Sequence, residues 1–322
     1  MRRELITWSV VLGVILAGFG ATVLVLNATL YSPSGFVRTY LDALARHDLA
    51  GALELSGTRA VTGDASQALL EPEAMGELSD IRIVSDEEDA SGIHYIVVDY
   101  VAGGIPGSTE FEVRRDGTLF GLFNGWAFVQ SPLATVQITV QHERVFTANG
   151  IDLIGQQDVA EPYLVLTPTA IELSHDSKFY HADPVEVLVS KPGGTVDAAV
   201  DLQATDAFVA EVQQQIDDYL AECTTQRVLL PTGCPFGETI INRIVSEPVW
   251  TMTANPVVTL VPDGKVATWR VPLTDATAHL VVDVQSLFDG SVSAFDRDVP
   301  FTVQYEVIVM EDGDPLITAI YG

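Results

Sequence analysis

The sequence predicts an α+β protein carried on a single N-terminal membrane helix. Three observations lead there. Leu5 to Leu26 is an uncharged run of 22 residues. Beyond it, helical spacing of apolar residues gives way near Ile81 to strand patterns. A second long amphipathic stripe, Thr205 to Cys223, then precedes another series of strands. The charge balance adds exclusions. Sixteen Lys and Arg stand against 44 Asp and Glu, a formal net charge of −28. Such a surface repels phosphate backbones, which excludes nucleic acid as a partner. A hydrophobic content of 48% is enough to build cores and excludes a wholly disordered chain.

The first element is the apolar run itself. At ~1.5 Å per residue it crosses a hydrocarbon core of ~30 Å. Arg2 and Arg3 precede it, and no Lys or Arg follows until Arg38. That asymmetry predicts a cytoplasmic N-terminus, residues 1–31 as stub and single-pass anchor, and everything after Tyr31 extracytoplasmic. A cleaved signal peptide is the competing interpretation, because Ala17-Gly18-Phe19-Gly20-Ala21 offers small residues near a cleavage point. Thr22 to Leu26 continues the apolar run past that point, which favours an uncleaved anchor.

Residues 32–131 form the next expected domain. Ser32 is placed to cap a helix with Pro33 at its first position. Phe36, Val37, Tyr40, Leu41 and Leu44 make one helical stripe, and Asp48 starts a short helix through Leu55. A weaker helical piece is expected from Ala65 to Met75, interrupted by Pro72. Strands are expected at Ile81–Val84, Ile93–Val101, Glu110–Arg114 and Leu119–Phe128, with the acidic Asp86–Asp89 and the glycines 103, 104 and 107 in connections.

Helices followed by an antiparallel meander place helices on one face of a curled sheet. The stretch Ser34 to Gln130 resembles the nuclear transport factor 2-like superfamily, a cystatin-like α+β cone. The residues that carry the resemblance are Phe36-Val37-Arg38-Thr39-Tyr40-Leu41-Asp42-Ala43-Leu44-Ala45, Asp48-Leu49-Ala50-Gly51-Ala52-Leu53 and Gly125-Trp126-Ala127-Phe128. They cover under a third of the chain and encode packing. The resemblance implies a cavity between helices and sheet in which some members bind small ligands. Tyr40, His94 and Tyr100 are the candidate lining residues. Asp99 falls on the opposite strand face from His94 and Tyr100.

Residues 132–195 carry strand signals without a long helix: Ala134–Val140, an Asn149-Gly150 turn, Tyr163–Leu166 and Val185–Val189. A small β-sandwich-like module serving as a spacer is expected. Residues 196–322 are expected to form a C-terminal α+β domain with one long helix on an antiparallel sheet. Phe208, Val212, Ile216, Leu220 and Cys223 form that helix's apolar face. Strands are expected at Trp250–Val261, Val266–Val271, Thr277–Val284, Phe301–Met310 and Leu316–Tyr321.

Ten residues, turned by Pro231 and Gly233, lie between Cys223 and Cys234. Outside the cytoplasm such a pair most simply forms a structural disulfide. Thioredoxin-like redox chemistry wants two intervening residues and a thiolate at a helix N-terminus, whereas Cys223 ends a helix beside Glu222. Nucleotide binding is excluded: Lys178, Lys191 and Lys265 are followed by Phe, Pro and Val, so no phosphate loop exists. His142-Glu143 lacks the second histidine of a metalloprotease helix, and no Gly-x-Ser-x-Gly elbow occurs. His175, Asp176, His181 and Asp183 are the nearest approach to a metal set. Six positions of strand hold the two histidines ~20 Å apart unless a turn intervenes, and a polar loop explains the segment. Acidic segments such as Asp296-Arg297-Asp298 lack calcium-loop spacing. No catalytic, cofactor or metal residues are therefore expected.

The functional expectation is a non-enzymatic, membrane-tethered interaction or scaffold module of a bacterial envelope, engaging a protein or cell-wall partner. The alternative is a small-molecule or lipid sensor using the cone cavity, and the weakest is an extracytoplasmic hydrolase. A packed cone interior separates the first from the second.

Overall fold

The computed structural model describes residues 2–57, 64–310 and 313–320; the side chains of residues 2–7, 9 and 10 lie outside that description. The chain is mixed α+β and mostly strand. It divides into two compact units: residues 1–140, 145–174 and 183–200 form the first, and residues 141–144, 175–182 and 201–322 the second.

The first unit begins with α1 (Arg2–Ala28). Its segment Val11–Ala28 has a mean hydropathy of 2.2 and is long and apolar enough to cross a membrane. A short turn leads into α2 (Pro33–Ala45), where the Ser32 hydroxyl accepts from the Gly35 N–H at 3.0 Å. A side chain at position 35 would strike the Thr29 carbonyl oxygen 2.3 Å away, so the tight entry needs glycine there. Asp48 caps α3 (Leu49–Leu55) in the same way through Gly51 N–H. Both caps satisfy helix N–H groups that would otherwise be orphaned.

Four antiparallel strands follow in sequential order: β1 (Leu78–Glu88), β2 (Ile93–Ala102), β3 (Ile105–Leu119) and β4 (Phe123–Phe128). Alternation on β2 buries Ile96, Val98, Tyr100 and Ala102, while α2 contributes Val37, Tyr40, Leu41 and Leu44 to the same core. Each such aliphatic side chain contributes roughly 1.5–3 kcal/mol on burial.

Three expectations change here. The Ala65–Met75 helix is replaced by bends, a turn closed by Leu70 N–H on the Gln67 carbonyl and one 3₁₀ turn, Pro72–Ala74, because the Ser66 backbone pairs with Pro162 and Leu164 instead. The acidic Asp86-Glu87-Glu88 belongs to β1, paired across to Ile96, Tyr95 and His94. The strand expected from Leu119 to Phe128 is broken by a tight turn, in which Leu122 N–H donates to Leu119 carbonyl at 3.1 Å.

The next strands are β5 (Leu133–Gln141), β6 (Val145–Ala148), β7 (Ile151–Ile154), β8 (Ala160–Leu166), β9 (Thr169–Asp176), β10 (Tyr180–Val189), β11 (Thr195–Asp201) and β12 (Gln203–Ala204). The order β11-β5-β8 makes one sheet, and β10, β9, β6 and β7 lie side by side in another. Asn149 and Gly150 both take positive φ, 46° and 82°, at the β6–β7 turn. Leu166 and Ala170 are buried in the α2–sheet core, and Leu133 and Leu188 pack against it. Much of residues 132–195 thus shares one compact unit with the helices and meander. That differs from a spacer beginning at residue 132, and the reason is this shared apolar core.

In the second unit α4 (Asp206–Thr224) is capped by Thr205, whose hydroxyl accepts from Phe208 N–H at 3.1 Å. It buries Phe208, Val212, Ile216, Leu220 and Cys223, the expected stripe. The sheet contains β13 (Arg243–Ile244), β14 (Val249–Ala254), β15 (Val261–Pro262), β16 (Thr268–Gln285), β17 (Val292–Val309) and β18 (Pro315–Ala319). Its path runs β13-β16-β17-β18, with β14 and β15 also pairing with β16. The two strands expected at Val266–Val271 and Thr277–Val284 are one, bent by an irregularity between Val271 and Thr274 that accommodates Pro272. Asp296-Arg297-Asp298 is also strand, on β17. Tyr321, the expected end of the last strand, lies outside the described residues.

Candidate functional site

The three residues expected to line a cone cavity sit in separate surroundings. Tyr40 is fully buried, and its hydroxyl donates to the Thr167 carbonyl at 2.7 Å. Its ring meets Phe111 and Phe128 edge-on. Burial pushes its hydroxyl pKa well up. Tyr100 is buried with its oxygen 2.8 Å from Thr109 Oγ1, and Thr109 in turn donates to the Ser190 carbonyl at 2.6 Å. Burial raises Tyr100 as well, with the Thr109 hydrogen bond acting the other way. His94 stands six residues up the same strand, its Nδ1 2.7 Å from Asp86 Oδ1 and its ring edge against Trp126. Asp99 pairs with Arg82 at 3.2 Å on the exposed side. Each polar tip is therefore engaged by a structural partner, the usual state of polar groups in or beside a core.

The cleft under α2 and α3 in this unit has a volume of about 20 Å³ and is lined by residues such as Leu44, Leu49, Leu70, Met75 and Leu166. That is room for about one water molecule. Tyr40, His94 and Tyr100 are not among its lining residues.

His175 and His181 fall on β9 and β10, joined by a turn at residues 177–179, so the loop expected there is a strand hairpin. Turn geometry comes from Ser177, whose N–H and hydroxyl both donate to the Tyr180 carbonyl. His175 Nε2 lies 3.1 Å from Ser177 Oγ and is buried, whereas His181 faces Asp176 at 3.8 Å. The two imidazoles thus take different partners. Among the described residues, no three His, Cys, Asp or Glu side chains gather into a metal-ligating group.

The second unit contains a buried polar cluster that periodicity alone does not reveal. Glu143 is 9% exposed; burial raises its carboxyl pKa, opposed by a hydrogen bond from Arg144 N–H at 2.8 Å. Burial and then the Glu143 charge push the Tyr180 hydroxyl up, offset in part by the neighbouring Trp269 N–H. Tyr180 and Trp269 stack at 5.9 Å, and Phe208 meets both rings edge-on. An apolar aromatic setting around a carboxyl raises its pKa, as seen here, without supplying room for a substrate.

The same unit presents an open groove of about 480 Å³ whose walls include Ile216 and Tyr219 from α4, Tyr305 from β17, and Leu316 and Ile317 from β18. The Cys223–Cys234 disulfide ties the end of α4 to the loop that reaches this groove at Gly233. The Tyr219 hydroxyl donates to the Gly233 carbonyl and so fixes the loop against the helix. β18 ends the sheet. Ile320 N–H donates inward to Gln304 carbonyl, so alternation turns the N–H and C=O groups of Ile317 and Ala319 toward the open edge. Leu316 is half exposed. Sequence pattern could mark Leu316 to Ala319 as a strand but not as the last in its sheet, because edge position depends on long-range pairing.

Comparison with family models, curated proteins and solved structures finds no match to this chain.

Proposed function

We propose that this protein is a non-enzymatic interaction module, held at the extracytoplasmic face of a bacterial cell membrane by α1 with its N-terminus in the cytoplasm. The first unit, in this reading, uses a nuclear transport factor 2-like arrangement as a packed support. The second presents the binding surface to a protein or cell-wall partner. One observation carries the reading: an apolar groove lies alongside an unpaired strand edge, with Ile317 and Ala319 offering backbone donors and acceptors. That combination suits an extended peptide of a partner protein, whose backbone would pair with β18 while alternate side chains enter the groove. The disulfide supports the extracytoplasmic placement, since such bonds persist in oxidising compartments. The burial of Tyr40 and Tyr100 in the packed core between helix and sheet favours support over ligand sensing.

The test is crosslinked capture from native membranes with the full chain, comparing the native sequence with Ala319→Pro and Leu316→Asp. Proline at 319 removes a donor from the outer edge while leaving the β17 pairing intact. A partner captured by the native chain and lost from both variants supports the groove. Equal capture by all three chains sinks it.

A further inference from the structure

Where α1 leaves its apolar stretch, the β3–β4 hairpin is fastened to it. Asn27 Nδ2 donates to the Leu122 carbonyl at 3.0 Å, and Asn124 N–H donates to Asn27 Oδ1 at 2.8 Å. Two further links come from the turn after the helix: Trp126 Nε1 donates to the Tyr31 carbonyl at 2.8 Å, and the Tyr31 and Phe123 rings stack at 4.3 Å. Along β4 the partners advance from Asn27 of α1, at Asn124, to Phe36 of α2, at Phe128, so the hairpin tip lies at the α1 end of the strand. The hairpin tip therefore points back along α1 toward its apolar stretch. Burial agrees. From Val11 to Val25 every residue but Val23 is exposed, and Val23 shares one helix face with the half-buried Leu26 and Asn27.

The tip itself is apolar and uncovered. Leu119 is 49%, Phe120 92% and Leu122 45% exposed. Phe120 and Gly121 take φ of +54° and +70°, both left-handed, at the centre of the turn in which Leu122 N–H donates to the Leu119 carbonyl and Leu119 pairs with Phe123. Asn, Asp or Gly is the favoured residue at the first of those positions, and a phenylalanine there costs conformational energy. A large apolar ring is thus held in a disfavoured backbone state, exposed, at the level of the last turns of an apolar helix. Solubility and folding both argue against that residue, whereas a hydrocarbon environment suits it.

We infer that the Leu119–Leu122 tip is a second membrane contact, inserting Phe120 into the interfacial region of the outer leaflet beside α1. The lipid-facing chemistry is completed by Trp126 and Tyr31 at headgroup depth, where amphipathic rings reside. Arg114 and Arg115 lie exposed just above, the latter donating to Asn124 Oδ1 at 2.7 Å. The acidic β1–β2 turn lies at the same end of the sheet, but β3 continues five residues past its last pairing with β2, Arg114 with Ile93. At ~3.3 Å per residue this carries the tip ~16 Å beyond those carboxylates. Two contacts, one spanning and one shallow, would fix the rotation and tilt of the first unit on the bilayer, which a single helix leaves free.

The inference rests on α1 as a membrane span, and the experiment separates the two. The full-length protein, with its native disulfide intact, is reconstituted into phosphatidylcholine–phosphatidylglycerol vesicles after labelling Phe120→Cys, Leu16→Cys or Glu110→Cys with an environment-sensitive fluorophore. Lipids brominated near the headgroup or near the bilayer centre serve as quenchers. The expected result is a blue shift and quenching at 120 by the shallow bromines, quenching at 16 by the deep ones, and an aqueous signal at 110. Quenching at 16 with an aqueous signal at 120 overturns the hairpin contact and keeps the anchor. An aqueous signal at 16 overturns the anchor, and the hairpin contact with it. Phe120 is almost fully exposed, so its replacement leaves the packed core untouched.

Discussion

The hydroxyl of Tyr40 reaches across 127 positions of sequence to the carbonyl oxygen of Thr167, at 2.7 Å. The bond joins α2 to the segment between β8 and β9, where the Thr167–Pro168 peptide is cis, and both residues are fully buried. Tyr40→Phe keeps the ring packing against Phe111 and Phe128 but leaves a buried carbonyl without this donor. A loss of about 1–3 kcal/mol is expected, against about 3–5 kcal/mol for truncation to Ala. Denaturant unfolding of the full chain in detergent micelles checks this; equal stability of the native and Tyr40→Phe proteins would refute it.

Reduction of Cys223–Cys234 should lower the stability of the second unit by about 2–3 kcal/mol on the chain-entropy account of a short closed loop. Cys223→Ser and the double serine variant should match the reduced protein. Because Tyr219 holds the same loop through Gly233, removing that hydroxyl as Tyr219→Phe should cost more once the disulfide is gone. A double-mutant cycle measures the coupling, and simple additivity would show that the two restraints act separately.

Local signals in the sequence were the legible ones. Ser32 is legible as a helix cap by side-chain type and accepts the expected N–H, and the helices expected to start at Asp48 and Thr205 do so, each capped by that residue. The disulfide follows from spacing and compartment, and Asn149-Gly150 from its turn chemistry. What stayed hidden depends on distant pairing. Leu119 to Phe128 is apolar enough to suggest one strand, because a Phe at positive φ carries no turn signature. Pro300 argues against a strand in the middle of β17, yet it pairs with Thr277 beyond the reach of β18, so among the described residues its missing N–H meets no strand on that side. The family resemblance makes Tyr40, His94 and Tyr100 candidates to line one cavity. Their polar tips instead find Thr167, Asp86 and Thr109, partners that no single-strand pattern predicts.

His279 on β16 is held between two carboxylates of β17, its Nδ1 2.8 Å from Asp298 and its Nε2 2.9 Å from Asp296. The Asp298 hydrogen bond, supported by both negative charges, raises its pKa above the ordinary 6.5. A raised folded-state value makes the stabilisation fully present below pH ~6.5 and lost as pH rises through the folded-state pKa. NMR titration should place His279 above free histidine, and Asp298→Asn should bring it down. An unshifted titration would dismiss the pairing.

Glu143 works in the same direction from another cause. Burial raises its carboxyl pKa, so the folded state holds this proton more tightly than the unfolded chain. Its neutral form therefore supports folding below pH ~4.5, and ionisation weakens folding as pH climbs through the raised value. Glu143→Gln keeps an acceptor for the Arg144 N–H and removes the buried charge. The variant should gain stability over the native protein at neutral pH and show little difference at low pH. A loss at neutral pH would mean that the carboxylate has a partner worth more than its desolvation.

Phe120 offers the sharpest contrast between folding and placement. Its φ of +54° suits Asn, whose short polar side chain visits the left-handed region far more readily than a phenylalanine. Phe120→Asn should therefore stabilise the β3–β4 hairpin, by roughly 0.5–1 kcal/mol if the gain matches that of other strain-relieving turn substitutions. In vesicles the same substitution should loosen the tip from the lipid, read as hydrogen exchange of the Leu122 and Phe123 amides that becomes slower in detergent micelles but faster on the bilayer than in the native chain. A variant less stable in both settings would show that the ring packs within the protein, and the membrane contact would then have no physical basis.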